Sequence, residues 1–182
     1  MERQRVLQAI GERVNNPNLI KHMLATEAVL RALAQRLGED EEEWGLAGLI
    51  HDIDVEIAPD FAQHSRMGAE ISRDLGCSPA IVHAVLSHNE VHGEPLSTPL
   101  DRALFCADPL TGLVVAAALV LPDKKLASLK VESLVKRYGE KRFAAGAKRE
   151  QIARCSELGL SLEDFLALGL EAMEGIAGEL GL

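Results

Sequence analysis

The sequence predicts an all-α protein, and three observations lead to that expectation. The chain is 47% hydrophobic but only 3% aromatic, so Leu and Ala, which are strong helix formers, must fill much of the core. Strand patterns are almost absent, whereas helix caps and helix-ending Gly and Pro recur at short intervals. A chain of 182 residues is long enough to bury one core, so residues 1–182 are expected to form a single domain.

The first half of the chain predicts five helices, which are separated by short breaks. Apolar residues at helical spacing define the first two, and Pro17 and Gly38 suit the start and the end of the second. Asp40, followed by three Glu residues, predicts the N-terminus of the third. The predicted helices are 2–14, 18–37, one that runs from the Asp40 cap to His51, 64–75 and 79–88, with a loop at 54–62.

The second half predicts a long helix and several shorter ones. Thr98-Pro99 begins the long helix, which should kink at Pro109 and end at Pro122. Ser161, followed by two acidic residues, is typical of a helix start. The shorter helices are expected near 128–138, 147–157 and 162–179.

Charge and cysteine content narrow the classes of function. The net charge of −9 disfavours binding to a nucleic-acid duplex. Residues 121–150 are locally basic, which predicts either a solvated helix face or a site for a small anion. The chain has three cysteines and no C-x-x-C pair, which fits a protein of a reducing compartment. With no signal-peptide pattern and no uninterrupted apolar run longer than nine residues, the protein is expected to be cytoplasmic, without a membrane partner.

Polar residues interrupt three strongly apolar helices. His51 and Asp52 end one in LAGLIHDID, His22 lies in NLIKHMLATE, and Asp108 lies in ALFCADPLTGLV. Buried imidazoles and carboxylates are costly unless they are paired or bound to a metal. Imidazole and carboxylate together suit Fe, Mn, Ni or Zn. No phosphate-binding glycine loop and no nucleophilic-serine motif competes with this arrangement.

The order His22, His51-Asp52, Asp108 resembles the H…HD…D pattern of the HD superfamily of metal-dependent phosphohydrolases. The run HDIDVE is similar to HDIG-type variants, with Asp54 where Gly is common. The resemblance covers roughly residues 18–115 and implies a compact multi-helix HD bundle, with 122–182 as a C-terminal helical extension. It also implies that the four motif residues bind a divalent metal ion.

Two more histidines imply a second ion by the same resemblance. His64 in QHSRMGAEI and His88 in VLSHNE are similar to positions in the two-metal branch, in which Asp52 would bridge the ions and be the catalytic carboxylate. Otherwise, His64 and His88 would bind phosphate or support the ligands by hydrogen bonds. His88-Asn89-Glu90 departs from the H-H-E of cyclic-dinucleotide phosphodiesterases, and their Gly-Tyr-Pro motif is absent. The dinucleoside-tetraphosphate hydrolases are the closer parallel.

The expected function is hydrolysis of a phosphomonoester or phosphoanhydride in a small, nucleotide-like substrate by metal-bound hydroxide. One or two ions of Fe, Mn, Ni, Zn or Mg are expected. The alternatives are a di-iron oxygenase and a non-catalytic metal-containing binding module. The sequence is also compatible with a homo-oligomer. Among the remaining candidates, His83 is interpreted as a helix-surface residue, whereas His92, Lys21 and Asn89 are weaker candidates for contact with substrate or phosphate.

Overall fold

A computed structural model describes all residues, 1–182, and contains ten α-helices and no strands, which confirms the all-α prediction. Short 3-10 turns at Glu90–His92, Leu126–Ser128 and Ala153–Leu158 connect some of them. The helices are α1 (Arg3–Gly11), α2 (Pro17–Leu37), α3 (Glu41–Ile50), α4 (Arg66–Asp74), α5 (Pro79–Ser87), α6 (Pro99–Leu119), α7 (Val131–Gly139), α8 (Arg149–Ile152), α9 (Leu162–Glu174) and α10 (Ala177–Leu180).

Side-chain caps fix the starts of the four helices that surround the site. The Asn16 side chain accepts a hydrogen bond from Asn18 N at the start of α2, and Asp40 accepts from Glu43 N at the start of α3. Ser78 caps α5 through Ile81 N. Thr98 and Asp101 form a reciprocal capping box on α6. These caps satisfy backbone N–H groups that have no partner within the helix, so they define where each helix begins.

The core is one cluster of 43 buried hydrophobic residues, and α2 and α6 pass through it. Helix α2 packs on α3, α6 and α9. The contact with α3 is close at Gly48, where a Cβ atom would lie 2.7 Å from the Thr26 carbonyl oxygen. Helix α6 is long and apolar enough to cross a membrane, but 67% of its most apolar window is buried inside the fold, as in the core helix of a globular protein.

Several predicted helix boundaries are wrong. Helix α4 begins at Arg66 and not at residue 64, because Ser65 has φ 71° and its N–H donates to the Asp54 carboxylate. Helix α1 ends at Gly11, and α6 ends at Leu119, before Pro122. The helix predicted at 147–157 is α-helical only over Arg149–Ile152.

The last predicted helix, 162–179, is interrupted between the end of α9 at Glu174, which Gly175 follows, and the start of α10 at Ala177. Glycine is a poor residue for a helix interior. The C-terminal helices nevertheless pack on the same core, through contacts of α9 with α2 and α6.

Candidate metal centre

Six polar side chains from five segments of the chain converge on one centre. His22 lies on α2, His51 is the residue that caps the end of α3, and Asp52 follows it. His64 precedes α4, His88 follows α5, and Asp108 lies in the middle of α6. The structure therefore brings together all six residues that the sequence resemblance singles out.

The Asp52 carboxylate lies between two pairs of imidazoles. Its Oδ2 atom lies 3.5 Å from Nε2 of His22 and 3.4 Å from Nε2 of His51. Its Oδ1 atom lies 3.5 Å from Nε2 of His64 and 3.5 Å from Nε2 of His88. One oxygen of the carboxylate thus faces each pair.

Asp108 completes the first group. Its Oδ1 atom lies 3.1 Å from His22 Nε2 and 3.9 Å from His51 Nε2. Two ligands that each lie about 2.1 Å from a shared ion are about 3.0 to 3.4 Å apart, so most of these separations are close to those that a common ion requires. Ligand atoms that could share an ion form two overlapping clusters, one of His22, His51 and Asp108 and the other of His51, Asp52 and His88. His64 lies beside the second cluster through Asp52 Oδ1.

Hydrogen bonds behind the ligands aim all four imidazoles in the same way. Nδ1 of His51 donates to the Gly48 carbonyl at 2.8 Å, and Nδ1 of His88 donates to the Val85 carbonyl at 2.6 Å. Nδ1 of His64 donates to Asp54 Oδ1 at 2.8 Å. These bonds place the ring proton on Nδ1 and leave the Nε2 lone pair directed at the centre, which is the tautomer that a metal requires.

His22 is held through Thr111. Nδ1 of His22 lies 2.9 Å from Thr111 Oγ1, and that hydroxyl donates to the backbone carbonyl of Asp108 at 2.9 Å. The hydroxyl therefore accepts from the imidazole, and Nε2 faces His51 Nε2 at 3.2 Å. Two opposed lone pairs at this distance repel unless a proton or a cation lies between them, so the donor set suits a bound metal.

The pKa values show the same need for positive charge. Burial lowers the pKa of His22, but a hydrogen bond to Asp108 and the charges of Asp108 and Asp52 outweigh it and raise the pKa to about 8. Complete burial lowers the pKa of His51 to about 4 despite the attraction of Asp52. Burial would raise the pKa of Asp52, yet His51, His88 and His22 hold it far below its usual value. The centre thus keeps ionised carboxylates beside His51, which stays neutral near pH 7.

Asp54 lies behind His64 and is fully buried. Besides accepting from His64, its carboxylate accepts from the backbone N–H groups of Ser65 at 2.8 Å and Gly68 at 2.7 Å. Asp54 therefore joins the imidazole to the first turn of α4. Sequence reasoning noted this residue only as a departure from the Gly of HDIG. Its position two residues after Asp52, in the apolar context IHDIDV, was the available signal.

The weaker candidates have other contacts. The Asn89 side-chain amide donates to the carbonyls of Phe61 and His64, at 3.0 and 3.2 Å. His92 Nε2 lies 2.7 Å from the same His64 carbonyl, and its Nδ1 accepts from Arg66. Both residues therefore fix the segment that carries His64. Asn89 also lines the cavity above Asp52, so it remains a candidate for contact with substrate, whereas His92 does not line that cavity.

His83 and Lys21 lie outside the six-residue centre. His83, on α5, is one-third exposed, and its Nδ1 lies 3.0 Å from Asp101 Oδ1. Lys21 borders a second cavity, of about 440 Å³, which reaches His22 from its Thr111 side. Neither residue lines the cavity above Asp52.

A cavity of about 490 Å³ opens onto Asp52, His64, His88 and Asp108. This volume is within the range of small-molecule sites. Sequence reasoning missed several of the residues that line it. They are Val55, Ala58, Asp60, Phe61, Glu90, Pro109, Gly146, Lys148 and Gln151.

A model of the HD domain family matches residues 19–113. This is more than half of the chain. The chain belongs to the HD-domain family. The match contains all six residues of the centre, whereas Gly146, Lys148 and Gln151 of the cavity wall lie beyond it. The HD-domain family includes metal-dependent hydrolases, and the His and Asp clusters of this centre could hold a divalent metal ion.

Curated relatives include two proteins named Ribonuclease Y. That of Geobacter metallireducens is 33% identical over 96 residues, which make up 52% of this chain and 18% of the relative. That of Lawsonia intracellularis is 29% identical over 144 residues, 78% of this chain and 26% of the relative. The chain thus spans only about a fifth to a quarter of these proteins. No solved structure matches the chain.

Proposed function

We propose that the protein hydrolyses a phosphomonoester or phosphoanhydride bond in a small, nucleotide-like substrate and that it uses two divalent cations. The observation that carries this proposal is the Asp52 carboxylate, which presents one oxygen to His22 and His51 and the other to His64 and His88. A carboxylate in this position could bind one cation through each oxygen. Paired ions in hydrolases that act on phosphates lie about 3.5 to 4 Å apart.

Each residue has a role in this proposal. His22, His51 and Asp108 would hold the first ion, His64 and His88 the second, and Asp52 both. Bound divalent ions would lower the pKa of water toward neutrality and neutralise charge on phosphoryl oxygens. The protein side chains orient these groups and need not supply a nucleophile of their own.

The charge of the cavity supports a requirement for cations. Its lining includes four carboxylates, those of Asp52, Asp60, Glu90 and Asp108, and a single lysine, Lys148. Lys148 is itself paired with Glu90. A phosphate would be repelled from this surface by Coulomb forces. Two divalent cations would offset the four negative charges, so substrate binding is expected to depend on metal.

A second candidate is cleavage of a phosphodiester bond in RNA, which is favoured by the relatives named Ribonuclease Y. The same centre could act on either substrate class, because fold and family do not fix the substrate. The acidic cavity lining and the net charge of −9 favour a short substrate over a long polyanion.

The test is a substrate panel on protein that has been stripped of metal and reloaded. Mn²⁺, Ni²⁺, Fe²⁺, Zn²⁺ or Mg²⁺ would be combined with nucleoside phosphates, dinucleoside polyphosphates and a short oligoribonucleotide, and released phosphate and cleavage products would be measured. We expect metal-dependent hydrolysis of nucleoside or dinucleoside phosphates, lost in Asp52→Ala and retained in the control His83→Ala. Cleavage of the oligoribonucleotide alone would favour the second candidate.

Two further results would overturn hydrolysis altogether. Turnover that requires oxygen and reduced iron would indicate a di-iron oxygenase. Bound metal without turnover of any substrate would indicate a binding module.

A further inference from the structure

One aromatic side chain is exposed at the mouth of the cavity. The chain has one Trp, one Tyr and four Phe residues, and Phe61 is the only one of the six that is exposed, at 58%. It lines the same cavity as Asp52 and His64. Placing a large apolar ring in water at this position has no benefit for the core, because the ring packs against none of the buried cluster.

The Phe61 segment is held in place before any ligand arrives. The Phe61 carbonyl accepts a hydrogen bond from Asn89 at 3.0 Å. The ring lies beside the His64 imidazole, with 5.7 Å between centroids and 36° between planes. The carbonyl of His64, three residues later, is fixed by both Asn89 and His92. A preorganised segment loses little conformational entropy when a ligand binds.

Away from the six-residue centre, the lining has two carboxylates, those of Asp60 and Glu90, and one lysine, Lys148. Glu90 is paired with Lys148, and its other oxygen accepts from Gln151 at 3.2 Å. Asp60 accepts from the backbone N–H of Gln63. No free cation is left there to bind a further phosphate. The surface around Phe61 therefore suits an uncharged group that has an aromatic face and polar edges.

From this arrangement we infer that Phe61 is a specificity-determining residue, on which the base of a nucleoside phosphate stacks while its phosphates lie at the six-residue centre. The inference rests on the proposed function and deepens it by naming the substrate class. The Glu90–Lys148–Gln151 group supplies hydrogen-bonding partners for the nucleoside. Lys148 and Gln151 lie beyond the part of the chain that matches the family model, so the C-terminal extension contributes to the choice of substrate.

The competing explanation is that Phe61 shields the second cation site from water. Its ring covers part of His64, so removal of the ring would then change metal binding and not base recognition. Leucine separates the two roles, because it covers the imidazole but offers no π face to a base. Trp offers a larger π face than Phe.

The experiment measures binding without turnover. Calorimetric titration of the manganese-loaded protein would use adenosine 5′-(α,β-methylene)diphosphate and methylenediphosphonate, which share the two phosphorus groups and differ by the nucleoside. The variants are Phe61→Ala, Phe61→Leu and Phe61→Trp. Val91→Ala is the matched control, since Val91 is a 54% exposed apolar residue that does not line the cavity. Manganese content is measured for each protein.

We expect the nucleotide analogue to bind wild type at least tenfold more tightly than methylenediphosphonate. Phe61→Ala and Phe61→Leu should each weaken binding of the nucleotide analogue about tenfold, as is typical for loss of stacking on one base, and leave methylenediphosphonate unchanged. Phe61→Trp and Val91→Ala should retain wild-type binding of the nucleotide analogue.

Two results would overturn the inference and indicate that Phe61 shields the second cation site from water. One is equal weakening of the binding of both ligands. The other is loss of one manganese ion in Phe61→Ala but not in Phe61→Leu. Equal affinity of wild type for both ligands would overturn it as well. The expected binding pattern in a protein that hydrolyses no phosphate substrate would support the nucleoside subsite and refute the proposed hydrolysis, so the two failures are distinguishable.

Discussion

Asp54→Asn is expected to damage the second cation site without touching a proposed ligand. The wild-type carboxylate accepts three buried hydrogen bonds, from His64 Nδ1 and from the backbone N–H groups of Ser65 and Gly68. Asparagine has nearly the same shape but only one acceptor oxygen. If its amide nitrogen faces α4, two buried N–H groups lose their acceptor. If it faces His64, one donor does.

The orientation with the new amide nitrogen facing His64 costs less free energy, because it leaves only one buried donor unpaired. An unpaired buried donor costs about 1–3 kcal/mol, so the free energy of unfolding should fall by about that amount. His64 would lose the partner that directs its Nε2 lone pair at Asp52. Loss of such a supporting hydrogen bond typically lowers metal affinity by about 10- to 100-fold. The affinity for the second ion should therefore fall, while that for the first changes little.

The assay combines urea unfolding of the metal-free protein with a manganese titration of the folded protein. Asp74→Asn is the matched control, because it removes the same charge from the exposed end of α4. An Asp54→Asn protein with wild-type unfolding midpoint and wild-type affinity for both ions would refute the positioning role. An equal loss of affinity for both ions would also contradict the structure.

Three further predictions concern the support of the centre. Because the pKa of His22 is raised to about 8, a metal ion must displace a proton from this residue below that pH. Metal affinity should therefore fall as the pH decreases from 8, and calorimetry in buffers of different ionisation enthalpy should detect the released proton. A metal affinity that does not change between pH 6.5 and 9 would contradict this. Gly48→Ala should lower the free energy of unfolding by about 1–3 kcal/mol through overpacking, since the new Cβ would lie 2.7 Å from the Thr26 carbonyl oxygen. An unchanged midpoint of urea unfolding would contradict this. Asn89→Ala should leave the Phe61 carbonyl without its side-chain donor and the His64 carbonyl with His92 alone. The segment should loosen, and its backbone amides should then exchange hydrogen faster; unchanged protection would be contrary evidence.

The sequence predicted the helices around the site because their signals are local. Caps such as Asp40 and Ser78, and the prolines at the starts of α2 and α6, act within one turn of the residue that carries them. The failures occur where distant contacts decide. Ser65 leaves the helical conformation where the Asp54 carboxylate, eleven residues earlier, accepts its backbone N–H.

The candidate centre was found from a family resemblance, whereas its supporting residues required coordinates. The pattern placed His64 and His88 among the candidates, and the structure locates them beside one oxygen of Asp52. Nothing local in the sequence indicates that Thr111 supports His22, 89 residues earlier. Lys148 likewise has no local signal that separates it from the other charges of the basic segment 121–150, and only the fold shows that it lines the cavity.

The central claim is that Asp52 lies between two cation sites, and metal stoichiometry tests it most directly. Protein stripped with a chelator and reloaded to saturation with manganese would be analysed for metal per chain, as wild type and as His64→Ala, His88→Ala and His83→Ala. We predict about two ions for wild type and the His83→Ala control, and about one for each of the other two variants, consistent with a carboxylate-bridged pair. A wild-type value near one, unchanged in His64→Ala and His88→Ala, would contradict the two-cation centre.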